Sequence, residues 1–522
     1  MNRMIEKAAL PLLLFLAVGL FCMDSPFTAF FLYTPLFFIM EKKSPKEGLL
    51  WGGLYGLFSY MFYLNWLFTF NSTAFLCVCS LYLLYFALVF FIGCRFFRFF
   101  GSFGAFCFVP FFIACEFIRT TGFLGFSYGV AAYSLWSCPY LIQSADLFGV
   151  WGIEFLLLYS SALLYYGIKF FCREKSAFLK KSFFSLSIGF AAIFIINLVY
   201  GIIKIDGQYG GVQSHGVSVC AVQNNSDPWS GDIDHYKADV KTLISLTDKA
   251  LAIDPQVDFV IWPETSVVPS ILQNFYEGKE LERKKLVYEL LKYIDGKKSV
   301  FVLGNYNPVG KGEDQKDYNC AFVFVPGENV FPPEPYVYAK NHLVPFAEYF
   351  PYDKEFPFIN DFLFENDRQW AKGKERVVFN CREQQFSTPI CFEDGFGSEC
   401  AEFVRNGAKI LFNLSNDAWA KSRKAQIQHL SMSVFRSIEN RVPVVRSTSS
   451  GETCIIDKRG IVESCCNSFE ESFALGMIVP KDDSYTWYTK MPDVLAYVFV
   501  VISIFLVAFM FISKLAIGPQ IR

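Results

Sequence analysis

The sequence predicts two unlike parts, a multi-pass α-helical membrane domain and a layered α/β domain. Three observations carry this expectation. Long apolar runs fill residues 8 to about 205 and return once near 494–512. Between about 212 and 480 the pattern changes to short β-prone runs alternating with amphipathic helical stretches, which is how a layered α/β domain reads. Within that second part, residues 386–396 (FSTPICFEDGF) place Cys391 where a strand should end, followed by Glu393, Asp394 and a glycine. A thiol presented at such a turn is fixed by the backbone and open to substrate on one side.

Composition limits the alternatives. The chain is 53% hydrophobic and only 18% charged, with 61 phenylalanines, which sets it apart from ordinary soluble proteins. Forty-seven basic residues nearly balance 49 acidic ones, so no electrostatic case exists for nucleic acid as a partner. The sixteen cysteines form no C-x-x-C pair and the four histidines (215, 235, 342 and 429) are scattered, so no metal site is expected.

In chain order, spans are read near 8–23, 27–41, 48–69, 73–94, 103–119, 150–170 and 183–204, with a last one at 494–512. Each approaches the roughly 20 residues a helix needs to cross hydrocarbon, giving about eight spans. The domains follow as a seven-helix membrane part over 1–205, the α/β domain over 212–480 and a C-terminal helix over 493–513. Arg3 and Lys7 precede the first run as in a signal peptide, but no small-residue cleavage site follows, so a retained helix is expected. Lys42, Lys43 and Lys46, then Arg95 and Arg98, then Lys169, Arg173, Lys175, Lys180 and Lys181 lie on alternate loops. The positive-inside rule places those loops and both termini in the cytoplasm and the α/β domain on the opposite face.

Residues 117–149 are too polar and glycine-rich to cross and read as a re-entrant or interfacial element. Gly125-Phe126-Ser127-Tyr128-Gly129 fits G-x-S-x-G, but that motif needs a strand–turn–helix setting which a loop between membrane helices does not offer. In the α/β part, strands are expected at 217–223, 257–263, 300–303, 320–325, 336–339, 376–380, 386–391, 409–414, 443–448 and 453–457. Helices are expected near 232–253, 279–294 and 424–440. Residues 349–370, aromatic and without periodicity, read as a loop or lid.

Three strand-end signals complete a chemical set. Glu264 leaves the run VIWPET, Lys340 follows a short strand with Glu348 eight residues on, and Cys391 ends the third. Each alone is more often a solvated strand end or a core thiol. Together they supply a nucleophile, a carboxylate base for its proton and a cation for an oxyanion, which is what acyl transfer requires.

The order Glu264, Lys340, Cys391, within WPE, K-x-x-L-V-P-F and P-I-C-F-E, resembles the nitrilase (carbon–nitrogen hydrolase) superfamily. KNHLVPFAEYFP, LSNDAW (414–419), RSTSSG (446–451) and the hydrophobic front half narrow the resemblance to the apolipoprotein N-acyltransferase family. It implies an α-β-β-α sandwich on the periplasmic face of a bacterial inner membrane. It also implies a two-step exchange without metal, nucleotide or other cofactor. Cys391, deprotonated by Glu264, would take an acyl group from a phospholipid such as phosphatidylethanolamine, with Lys340 at the oxyanion. The thioester would then pass it to the N-terminal amine of a diacylglyceryl-cysteine apolipoprotein.

By the same resemblance Glu348 and Glu393 are supporting carboxylates, and Trp229, in the loosely matching segment 224–231, stands near the entrance. Phe392 replaces the family's usual tyrosine and Ala347 a more usual glycine. The enzyme is expected to act as a monomer embedded in the bilayer.

Two rivals remain. One is a membrane-tethered nitrilase or amidase with water as acceptor; the other is a transporter or receptor, for which Glu116 and Glu154 near span ends are the only hints. Eight cysteines (220, 320, 381, 391, 400, 454, 465 and 466) fall in the outer domain, where an oxidising compartment permits disulfides. Cys391 is expected to stay free.

Overall fold

A computed structural model describes residues 2–122, 125–172, 177–207, 216–226, 231–267, 269–350, 352–358 and 369–517. The chain divides into two compact units, Met1–Gln208 with Met491–Arg522, and Tyr209–Lys490.

In the first unit the apolar runs fold as helices, numbered here where they reach nine residues: α1 (Asn2–Met23), α2 (Thr34–Lys42), α3 (Pro45–Tyr63), α4 (Ser72–Phe100), α5 (Gly104–Arg119), α6 (Val150–Cys172) and α7 (Ala177–Asp206). A last helix spans Val494–Ile517. Among the described residues four stretches are long and apolar enough to cross a membrane: Ser72–Arg119, Val150–Cys172, Lys181–Asp206 and Val494–Ser513. These are fewer than the eight spans expected. Ser72–Arg119, 48 residues long, is two helices that pack on each other, α4 and α5, joined by a 3-10 turn at Gly101–Phe103. The second expected span breaks after Pro26–Ala29, which leaves α2 at nine residues, about 14 Å. The third breaks at Leu64, and α3 carries Lys46, Glu47 and four glycines that dilute its apolarity.

Those glycines have a packing reason. Pro45 opens α3 behind a capping box, in which Ser44 Oγ accepts from the Glu47 N–H (3.2 Å) and Glu47 Oε2 from the Ser44 N–H (2.9 Å). Gly48, Gly52 and Gly56 then repeat every four residues along the face that meets α4. A Cβ at Gly52 would stand 2.2 Å from the Phe86 carbonyl oxygen, so only glycine allows this approach. Gly53 faces Leu83 at an ordinary 3.5 Å. Gly52→Val is therefore expected to cost about 1–3 kcal/mol by overpacking, while Gly53→Val costs little. Thermal unfolding in detergent compares the two.

The loop holding the G-x-S-x-G match is tied down by Arg119. Its guanidinium pairs with Glu116 and donates to the carbonyls of Phe126 (2.7 Å) and Tyr128 (3.2 Å). Irregular backbone between apolar helices needs such internal partners. Ser127 is buried in that loop, and among the described residues no strand precedes it.

The second unit holds two six-stranded sheets. Its strands are β1 (Val217–Gln223), β2 (Phe259–Ile261), β3 (Val300–Val309), β4 (Lys316–Phe324), β5 (Tyr336–Ala339) and β6 (Phe379–Cys381). They continue with β7 (Gln384–Ser387), β8 (Ile410–Ser415), β9 (Val444–Thr448), β10 (Cys454–Ile456), β11 (Val462–Cys465) and β12 (Ser472–Ile478). One sheet runs β12-β1-β2-β3-β4-β5, the other β11-β10-β9-β8-β7-β6. In each, three central strands are parallel (β1-β2-β3 and β7-β8-β9) and the outer ones antiparallel.

The sheets pack face to face, with Phe259 against Phe386 and Phe412 at 5.2 and 5.3 Å between ring centres. Helices α8 (Ile233–Ile253) and α9 (Leu281–Asp295) cover the outer face of the first sheet, burying Leu243, Leu246, Leu290, Leu291 and Trp262 in one cluster. Trp262 donates its Nε1–H to Thr247 Oγ1 at 3.0 Å, which satisfies its buried donor. Helices α10 (Gly397–Arg405) and α11 (Arg423–Asn440) pack together over the second sheet. The result is an α-β-β-α sandwich.

Candidate functional site

Parallel strands present their carboxyl ends together, and open α/β sheets gather ligands there. Glu264 follows β2, Lys340 follows β5, and the Cys391 turn follows β7, with β8 ending beside it at Ser415. Strand β7 stops at Ser387, earlier than the sequence suggested. Cys391 instead opens a 3-10 turn, Cys391–Gly395, with Ile390 still bridged to Leu414 of β8.

The thiol therefore sits at a bend. Its backbone is left-handed, φ +51°, a region that costs an L-residue energy and persists only where the surroundings impose it. Glu393 imposes part of it. Its Oε2 accepts from the Ile390 N–H (2.7 Å), and its Oε1 accepts from the Asn341 N–H (2.8 Å), the His342 N–H (2.9 Å) and the Tyr338 hydroxyl (2.7 Å). One carboxylate thus ties the turn to the segment after Lys340. Burial raises the Glu393 carboxyl, and the donors from Ile390, His342 and Tyr338 pull against it.

Glu264 is held from three sides. Oε1 accepts from Asn319 Nδ2 (2.7 Å) and Lys340 Nζ (3.3 Å), and Oε2 from the Asn416 N–H (3.0 Å). The bend that carries it lies so close to β3 that a Cβ at Gly304 would stand 2.3 Å from the Thr265 nitrogen. Lys340 is 1% exposed. Its nearer carboxylate is Glu348, at 2.7 Å, whose other oxygen accepts from the Val344 N–H (2.7 Å).

The electrostatics are those of a dry cluster. Burial works against the charge on Lys340, but Glu348 and Glu264 outweigh it and hold the ammonium well above its usual range. Burial, then Glu264, push the Cys391 thiol well up, and Lys340 opposes them. The thiol is thus neutral at rest, and both Glu264 and Lys340 act on it electrostatically. Among the described residues no histidine, cysteine or carboxylate cluster could hold a metal ion.

Of the residues singled out in the sequence, Glu264, Lys340, Glu348, Cys391 and Glu393 gather in one site. Phe392 is buried next to the thiol, edge-on to Phe396 at 5.0 Å. Trp229 lies outside the described residues, as does half of the proposed lid at 349–370 (351 and 359–368).

A second buried group was not anticipated. Beneath the turn, His429 of α11 meets Asp394 and Asp417, and Arg446 of β9 reaches both carboxylates. LSNDAW and RSTSSG contain Asp417 and Arg446, but only the fold brings them to His429. The surviving signal was the polarity of residues 426–440 in a helix that is buried nearly all round.

The chain matches the carbon-nitrogen hydrolase family over residues 218–482 and the apolipoprotein N-acyltransferase N-terminal domain over residues 12–163. It is 35% identical over 517 residues to apolipoprotein N-acyltransferase 1 of Treponema denticola, covering 95% of this chain and 94% of that protein. It is 37% identical over 475 residues to apolipoprotein N-acyltransferase 1 of Treponema pallidum, covering 86% of each. To apolipoprotein N-acyltransferase 2 of Treponema denticola it is 28% identical over 406 residues, covering 74% of this chain and 73% of that protein.

Proposed function

The chain belongs to the apolipoprotein N-acyltransferase family, and on that premise we propose that Cys391 is the nucleophile, Glu264 its base and Lys340 the oxyanion donor. The enzyme is a membrane-associated, Cys-dependent acyltransferase of lipoprotein maturation. The observation that carries the residue assignment is the convergence on buried Lys340 of two carboxylates, one of which also acts on the neutral thiol.

Glu348 takes the closer ion pair with Lys340 and Glu264 the longer one. Glu264 accepts the Sγ proton as sulfur attacks the ester carbonyl of a phospholipid, for which phosphatidylethanolamine is our candidate. Lys340 faces the developing oxyanion, a charge that a dry site stabilises most strongly. The carbon–oxygen bond breaks and Glu264 returns its proton to the departing lysophospholipid. In the second half the N-terminal amine of a diacylglyceryl-cysteine attacks the thioester. Glu264 takes one amine proton and hands it to the leaving sulfur, so the amide forms and the thiol is restored. The thioester preserves acyl activation, so no nucleotide is needed.

Water as acceptor is the rival reading. Incubation with labelled phosphatidylethanolamine and a diacylglyceryl peptide separates the two. The assignment expects N-acylated peptide as the main product; free fatty acid at the same rate with and without peptide would overturn it. Phosphatidylglycerol in parallel tests the donor.

We further propose that the paired and shorter helices complete eight crossings, with both termini cytoplasmic and the α/β unit periplasmic. The basic loops at 42–46, 95–98 and 169–181 support this orientation. Reporter fusions at residues 43, 173 and 210 should read inside, inside and outside; any other pattern refutes it.

A further inference from the structure

His429 is 3% exposed, and both of its ring nitrogens face carboxylates. Nδ1 lies 2.9 Å from Asp417 Oδ1 and Nε2 lies 2.8 Å from Asp394 Oδ1. Arg446 closes the ring of charges, with Nη1 2.5 Å from Asp394 Oδ2 and Nη2 3.4 Å from Asp417 Oδ2. The Ser433 hydroxyl donates to Asp394 and accepts from Arg446. Burial opposes ionisation of both aspartates, but His429 and Arg446 outweigh it and hold them below their usual range. Ionised carboxylates only accept, so both ring nitrogens must donate and His429 is an imidazolium. Two cations and two anions then close a neutral cluster.

The cluster grips two things at once. His429 Nε2 also reaches the Cys391 carbonyl oxygen at 3.3 Å, which Asn413 Nδ2 meets at 3.3 Å from another side. Asp394 belongs to the nucleophile turn itself. Asp417 follows Asn416, whose N–H binds Glu264 Oε2. The same ring therefore ties the strained thiol turn to the backbone donor that orients the base. We propose that His429, clamped between Asp394 and Asp417, is a positioning residue that fixes Cys391 relative to Glu264 for attack. This rests on the assignment of Cys391 as nucleophile.

A pH signature follows. Burial lowers the His429 pKa, but Asp394 and Asp417 outweigh it, moving it from an ordinary 6.5 to about 9. A raised pKa means that the clamp is complete below about 6.5, and holds until pH climbs through about 9. Arg446 and Lys340 keep their charges there, and ionisation of the Cys391 thiol would raise the rate with pH. A fall in rate above about pH 9 therefore identifies His429.

The test measures single-turnover acylation of Cys391 by phosphatidylethanolamine in the full-length protein, alongside melting temperature, for His429→Gln and for His429→Gln with Asp417→Asn. The single variant unbalances the buried charge, and the double variant restores neutrality. Acylation is expected to fall at least tenfold in both, with KM for phospholipid unchanged and the alkaline fall abolished, while the double variant recovers melting temperature. Acylation that recovers together with melting temperature, or a His429→Gln rate within twofold of wild type, overturns the proposal. Should neither variant fold, the wild-type profile decides: rate loss near pH 9 with melting temperature unchanged supports it, and a flat profile to pH 10 overturns it. Absence of any thioester in wild type would sink the nucleophile assignment and this proposal together.

Discussion

Cys391→Ser is expected to lower N-acylation by at least about 10³-fold while leaving the melting temperature nearly unchanged. Loss of a nucleophile that works as a unit with its base removes most of the rate. The substitution keeps the shape of the side chain, so the left-handed turn and the four donors on Glu393 persist. Serine fails for a chemical reason. Its hydroxyl holds its proton far more tightly than a thiol does, and this pocket already pushes the thiol well up by burial. An assay of peptide N-acylation with the purified variant checks it.

Lys340→Met is the second large effect, and it acts on rate and stability together. Removing the oxyanion donor should cost about 10²–10³ in acylation. The change also leaves Glu264 and Glu348 buried without their shared cation, and breaking a buried pair in this way costs about 3–5 kcal/mol. The pH dependence has a definite sign. In wild type the raised Lys340 pKa means that its contribution is complete below the ordinary value of 10.5 and is lost only at higher pH. In the variant two like charges face each other, and taking up a proton relieves them. Its melting temperature should therefore rise between pH 8 and pH 5 relative to wild type. Equal pH dependence in the two proteins would mean that Lys340 does not hold the carboxylates.

The catalytic candidates were legible because each stands in a short apolar run that ends in a charged or nucleophilic residue. A strand followed by a bend is a local pattern, and local patterns survive without a fold. Finer placement was not legible. Cys391 lies four residues past the end of β7, because Ile390 bridges to β8 and the chain then turns under Glu393. Strands β11 and β12 escaped notice because they are half-exposed edges with weak alternation, and α10 because it is only nine residues long. The His429 cluster joins four residues 12 to 52 positions apart, a proximity that only the packing of α11 on the second sheet creates. In the membrane unit, hydropathy located the helices but overran their breaks. The interruptions at 30–33 and at Leu64 fall inside apolar runs, marked only by Thr34-Pro35 and by Asn65 just after them.

The most direct test of the account is the intact mass of the purified protein after exposure to phosphatidylethanolamine without acceptor. The account predicts a gain of one acyl group on Cys391, removed by hydroxylamine, absent in Cys391→Ser and discharged by a diacylglyceryl peptide. No adduct on wild type, with Cys391→Ser still acylating the peptide, would contradict it.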